Sequence, residues 1–353
     1  MNISLQNLKS KNTIFIFLIL FVISAGCSKS NPQESDFHLK SGKEKLNKND
    51  LDNALNEFTI AILLDYKNSS AYYYRGVLYS SKNMHMEAIS DLDEAIDISP
   101  DSARFYDARG YIYLTQNDYK KALEDFDNAF QKDPKNGIYI NRRGYVKALQ
   151  NDYIEAIKDY TKAIDLNPKL EDAYSNRGFA YMNQKIYDKV VEDFSKAIEL
   201  NPKKAVYYNS RGYGYANINK LGYALDDYNK AIELDPKMKD AYINRGYIYL
   251  NSDQFNFAIQ DFDNAIKLDP NTASLFNARG YAYANLKDYS NAIANYNAAI
   301  KLDSSYTDAF VNRGFSYYNS LDKKNALTNW EKAVKQKPSL YSTLKSYLDK
   351  ARK

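Results

Sequence analysis

Eight arginines recur every thirty-four residues, at Arg75, Arg109, Arg143, Arg177, Arg211, Arg245, Arg279 and Arg313. Sixteen residues after the first six stand Asp91, Asp125, Asp159, Asp193, Asp227 and Asp261, and after the last two stand Asn295 and Asn329. A guanidinium facing a carboxylate at fixed spacing suits one of two jobs. It makes an internal row of ion pairs, or it leaves an arginine row open to anions. The first reading gives a structural ladder, since a partly buried pair is costly to break on one side and fixes register more than it raises stability. A second pattern sets rings beside carboxamides. Tyr111, Tyr145, Phe179, Tyr213, Tyr247, Tyr281 and Phe315 keep the same beat, and Asn183, Asn217, Asn251, Asn285 and Asn319 follow the ring or its counterpart by four residues. Asn176, Asn244 and Asn312 alternate with Asn141, Asn209 and Asn277 just upstream. A carboxamide carries donors and an acceptor, so a row of them beside exposed rings suits an extended polypeptide in either direction. The plainer alternative is an Asn-rich composition, with the later Asn row capping helices.

Catalytic chemistry is not legible. The chain has two histidines, His38 and His85, and one cysteine, Cys27. No His/Cys/carboxylate cluster has metal-ligand spacing, and the glycines stand singly rather than in a phosphate-cradling loop. The expectation is a non-enzyme with no metal and no cofactor.

The elements that position these residues follow from the glycines. Gly42, Gly76, Gly110, Gly144, Gly178, Gly212, Gly246, Gly280 and Gly314 lie thirty-four residues apart. A fixed period of that size means a stacked array rather than one central core. With each glycine as position 8, position 27 is Ala in all nine units, position 20 is Ala in eight, and position 32 is Pro in seven. Positions 4 and 11 are mostly aromatic, and position 24 is bulky throughout, ending at Trp330. Spacings of 4, 8, 11 and 20, 24, 27 are amphipathic-helix stripes, so each unit is two helices, A and B, closed by the proline. Glycine inside a helix costs about 1 kcal/mol against Ala, a cost explained if position 8 must have no side chain. At 100° per residue, positions 2, 6, 9 and 13 lie opposite the packing stripe, which puts the ring-and-Asn row on the open side of helix A.

This pattern resembles the tetratricopeptide repeat, a thirty-four-residue helix–turn–helix with small residues at 8, 20 and 27. The arginine at position 7, where the family usually has Leu, resembles an Arg-Gly subtype. The resemblance implies an all-α, right-handed α-solenoid of about nine units, at 35–68, 69–102, 103–136, 137–170, 171–204, 205–238, 239–272, 273–306 and 307–340, with residues 341–353 as a C-terminal capping helix. It also implies protein or peptide partners held in a groove lined by the A helices. The first unit departs from the pattern, with His38 at position 4 and Lys45 at position 11. The fourth has Ile140 and Lys147 for framework aromatics and Arg142 before Arg143, reading as a soft point or a contact point.

The front of the chain differs. Lys9 and Lys11 precede an apolar run from Ile14 to Ile23, then Ser24-Ala25-Gly26 and Cys27. That order reads as a signal peptide over 1–26, and Ala-Gly-Cys resembles a bacterial lipobox, in which Cys27 carries the lipid. Ser24 departs from the aliphatic residue preferred there. Acyl chains on Cys27 would hold the array to a membrane, with Ser28–Glu34 as a tether reaching at most roughly 25 Å. The expected location is the cell envelope, on the outer membrane where there is one. Losing Lys9 and Lys11 lowers the formal charge of +4 by two. The interleaved charges give no basic patch of the nucleic-acid kind. The first reading of function is a membrane-anchored scaffold. The alternatives are an architectural protein that self-associates and a cell-wall glycan binder using the Tyr/Asn row.

Overall fold

The computed structural model describes residues 30–352, and the signal-like segment and Cys27 lie outside the described residues. The described residues form nineteen α-helices and no strand. The helices pair as α1 (Pro32–Asn47) with α2 (Leu51–Leu64), α3 (Ser69–Ser81) with α4 (His85–Ile98), and α5 (Ala103–Thr115) with α6 (Tyr119–Lys132). Next come α7 (Gly137–Leu149) and α8 (Tyr153–Leu166), α9 (Glu171–Asn183) and α10 (Tyr187–Leu200), and α11 (Ala205–Asn217) and α12 (Leu221–Leu234). The series ends with α13 (Lys239–Asn251) and α14 (Phe255–Leu268), α15 (Ala273–Asn285) and α16 (Tyr289–Leu302), α17 (Thr307–Asn319) and α18 (Lys323–Gln336), and the final α19 (Leu340–Arg352). From the second repeat onward, helix A fills positions 1–13 and helix B positions 17–30 without drift. Only α1 breaks the frame. Pro32 starts it three residues early, where a proline's missing N–H costs nothing, and Asn31 accepts from the Glu34 N–H. The expected tether therefore gives up Pro32–Glu34 to helix.

Each A–B turn depends on one residue. Position 15 has φ between 57° and 68° in all nine repeats, filled by Asn49, Asn83, Asn117, Asn151 and Asn219, then Lys185, Asp253, Lys287 and Leu321. Asn tolerates this left-handed conformation better than most residues. In the third repeat, Asn117 N–H donates to the Leu114 carbonyl and Asp118 N–H to the Tyr113 carbonyl. Those two bonds are the Schellman motif that ends a helix.

Across each turn the rings at position 24 fill the space left by the glycines. Phe58, Phe126, Tyr160, Phe194, Tyr228, Phe262, Tyr296 and Trp330 are buried to 1 % exposure or less. A Cβ placed on Gly178 or Gly212 would come within 2.8 Å of the Phe194 or Tyr228 ring. Residues 30–146 and 147–352 form two compact units. In the first, Ala54, Phe58 and Leu78 form one core cluster and Ala122, Phe126 and Val146 another. In the second, Phe262 packs with Leu250 and Leu275, and Trp330 is closed by Leu344 and Leu348 of α19.

Candidate functional site: the two faces of the A helices

The arginines at position 7 face inward and hold more than the sequence indicates. Arg211 donates from Nε and Nη2 to the two oxygens of Asp227, at 2.9 and 2.7 Å, and from Nη1 to Ser195 Oγ at 3.3 Å. Arg109 grips Asp125 the same way and reaches Asp93 at 2.5 Å. Arg75–Asp91, Arg177–Asp193 and Arg245–Asp261 repeat the fork, with third partners Thr59, Thr161 and Asn229. Each arginine thus bonds sixteen residues forward to its own helix B and sixteen residues back to helix B of the preceding repeat. The backward partner is position 25, polar in every repeat and legible in the sequence once looked for. Burial raises the Asp227 carboxyl above its ordinary value even with Arg211 bound, while the Asp227 hydrogen bonds raise the Arg211 guanidinium.

Exceptions lie at the ends, and the fourth repeat has additional partners of its own. In the fourth repeat Arg143 bonds Asp127 and Asp159 bonds Lys147 Nζ at 2.9 Å, each among other partners. Lys147, a departure at position 11, therefore turns in toward the ladder acid. Arg142 pairs with Asp107 of the third repeat at 2.6 Å, and Ile140 is buried. In the first repeat, His38 Nδ1 lies 2.6 Å from Glu57, which also takes Lys45, so this cluster stands where the Arg–Asp fork would be. Burial pushes the Glu57 carboxyl up, and bonds from Lys45 and His38 outweigh it and leave the pKa lowered. At the other end Arg279 bonds Asn295 and Asp263, but Arg313 bonds only the neutral carboxamides of Asn329 and Asn297. Among the described residues, Arg313 alone of the eight has no carboxylate.

On the opposite side, Tyr111 and Tyr145 in the first unit, and Phe179, Tyr213, Tyr247 and Tyr281 in the second, are 37–51 % exposed. Their rings are not loose. Phe179 and Tyr247 stand edge-on to the buried Phe194 and Phe262 at 5.0 and 5.3 Å. Phe315 leaves the row, because its ring is covered by Trp330 and by Tyr347 of α19, at 5.2 and 5.0 Å. The asparagines are less open than a peptide-reading ladder requires. Asn183, Asn217 and Asn285 donate Nδ2 to the carbonyls of Phe179, Tyr213 and Tyr281, four residues back in their own helices. Each back-bonds to a carbonyl that already accepts its helical N–H, so of each amide the oxygen and one N–H remain to offer. Asn251 and Asn319 are exposed. Asn244 donates to Asn209 and Asn312 to Asn277 across neighbouring repeats, and Asn176 is also engaged. In the second unit the alternation of Asn between positions 5 and 6 is therefore an inter-repeat clasp, made between repeats six and seven and again between eight and nine. Among the described residues no His/Cys/Asp/Glu group could hold a metal ion.

Models described as tetratricopeptide repeat match residues 39–103, 103–136, 171–204 and 240–272, and one described as TPR repeat matches 144–185 and 285–320. No curated protein matches the chain. Among solved structures, the C-terminal part of a TPR repeat-containing protein from Cytophaga hutchinsonii is similar, at 20 % identity and a TM-score of 0.57, covering 68 % of this chain and 98 % of that one. A tetratricopeptide repeat protein from Parabacteroides merdae aligns at 19 % identity and a TM-score of 0.51, over 71 % of this chain and 99 % of that one. The Cut9–Hcn1 assembly of the APC/C aligns at 14 % identity and a TM-score of 0.51, over 97 % of this chain and 82 % of that chain. These likenesses establish the helical-repeat fold.

Proposed function

The chain is a tetratricopeptide-repeat protein, and from that premise we propose that it is a scaffold holding protein or peptide partners against the open face of its A helices. The observation that supports this most directly is the row of rings at position 9. A tyrosine held edge-on by a buried ring loses little entropy on binding and offers both apolar area and a hydroxyl, as hot-spot residues do. The open oxygens of Asn217 and Asn285 beside Tyr213 and Tyr281 add acceptors for a partner's N–H groups. In its finer form the proposal adds an acyl anchor at Cys27, placing the scaffold at the cell envelope. None of the described helices is long and apolar enough to cross a membrane.

A photo-crosslinking residue placed in cells at Tyr213 should yield a defined protein adduct. The same residue at Tyr223, exposed on helix B, is the control. Absence of an adduct specific to 213 would overturn the scaffold reading. In the same cells Cys27→Ala should move the chain from the membrane to the soluble fraction, and an unchanged membrane fraction would remove the anchor.

A further inference from the structure

The first compact unit contains a cavity of about 700 Å³ lined by side chains of the second, third and fourth repeats, within the size range of ligand sites. It opens for a reason visible in the repeat pattern. Position 9 is aromatic from the third repeat to the ninth, but in the second it is Val77, and the missing ring leaves the hollow beside Val77 and Tyr111. The floor is apolar, with Leu92 and Ile112 fully buried.

Two polar residues in this lining are unsatisfied. Of three buried side-chain polar atoms without a hydrogen-bond partner among the described residues, Asp107 Oδ1 and His85 Nδ1 both belong to it. Native proteins leave few such atoms, and each calls for an explanation. The other Asp107 oxygen takes Arg142 Nη1 at 2.6 Å, and that guanidinium lies over the Tyr111 ring. The carboxylate oxygen is an acceptor, and so is Nδ1 when His85 carries its proton on Nε2. A complementary ligand must bring donors. A carboxylate or phosphate brings acceptors only. An ammonium brings three donors and no acceptor, and its alkyl stem suits the apolar floor. In the lining itself Asp107 is the one carboxylate and Arg142 the one guanidinium.

We propose that this cavity binds an alkylammonium group, supplied by a lysine side chain of a bound polypeptide or by a free diamine. A turn of the Asp107 carboxylate brings its unpaired oxygen to the ammonium while Arg142 keeps the other. The lysine form rests on the scaffold reading; the binding chemistry does not.

The test uses the full chain and follows the methyl signals of Val77, Leu92 and Ile112 during titration with N-acetyl-lysine methylamide and with 1,5-diaminopentane. Either amine should shift them, the tighter one identifying the source, and N-acetyl-norleucine methylamide should bind at least tenfold more weakly. Asp107→Asn should weaken the amine about tenfold. Val77→Tyr, which installs the residue that five other repeats carry at this position, should abolish binding while the chain stays folded. Equal binding of the norleucine probe, unchanged binding by both variants, or tighter binding of N,N′-diacetylchitobiose than of either amine would overturn the proposal. Loss of amine binding with Tyr213 adducts intact removes this site alone, and amine binding without those adducts removes the scaffold reading alone.

Discussion

At Arg211 one guanidinium satisfies both oxygens of Asp227 and reaches Ser195 of the preceding repeat. The side chains are only 21 % and 6 % exposed, so desolvation of both charges offsets much of their attraction. What the pair supplies is register. A helix B that slid by one turn would leave a buried carboxylate without its fork. Arg211→Met or Asp227→Leu alone should therefore cost about 3 kcal/mol, because each leaves an uncompensated partner. The double variant should cost less than either, a coupling that chemical denaturation of all four chains measures. If the double loss equals the sum of the single losses, the two side chains act independently and the register argument falls.

The helix pair depends on one close approach, and two glycines in the same repeat show which ones serve it. A Cβ on Gly212 would meet the Tyr228 ring at 2.8 Å and Asp227 Cβ at 3.2 Å, whereas one on Gly222 would meet nothing within 4 Å. Overpacking of a tight core costs about 1–3 kcal/mol, which outweighs the roughly 1 kcal/mol that alanine gains in a helix. Gly212→Ala should lower the thermal midpoint and Gly222→Ala should raise it, the latter by adding about 0.5–1 kcal/mol of stability. Two shifts of the same sign would show that contact with Tyr228 does not decide the matter. This packing was legible in advance because a period of thirty-four repeats every constraint nine times, so Gly at 8 and Ala at 20 and 27 stand out against their neighbours. The forward Arg–Asp pairs were legible for the same reason. Less could be read where a residue's partner depends on rotamer rather than spacing. Asn217 could reach a ligand or its own helix, and the structure gives its Nδ2 to the Tyr213 carbonyl. Phe315 shares the period of its row but meets α19 where the other rings meet solvent, a difference made by the end of the array.

In a stacked array each repeat is stabilised by its neighbours, so the ends are weakest unless capped. At the C-terminal end, α19 covers Trp330 with Leu344 and Leu348, but the clasp inside that repeat is the poorest of the series. Arg313 is half-buried against two carboxamides, and burial lowers its pKa. The charges around it do not help, because residues 321–353 carry nine bases against three acids. This excess runs against the even interleaving expected from the chain as a whole, and it adds self-repulsion. Trp330 is the only tryptophan and is fully buried, so its fluorescence reports this end while far-UV circular dichroism reports the helices of the whole array. In urea the fluorescence transition should precede the dichroism transition. Asn297→Asp restores the acid that Asp93, Asp127 and Asp263 supply at the same position. It should delay the fluorescence transition by about 0.5 kcal/mol, as expected of a largely exposed pair. Added salt should delay it in the parent chain by screening the excess of positive charge. Coincident transitions that neither change separates would mean that the last repeat unfolds together with the rest, and that its missing carboxylate carries no energetic weight.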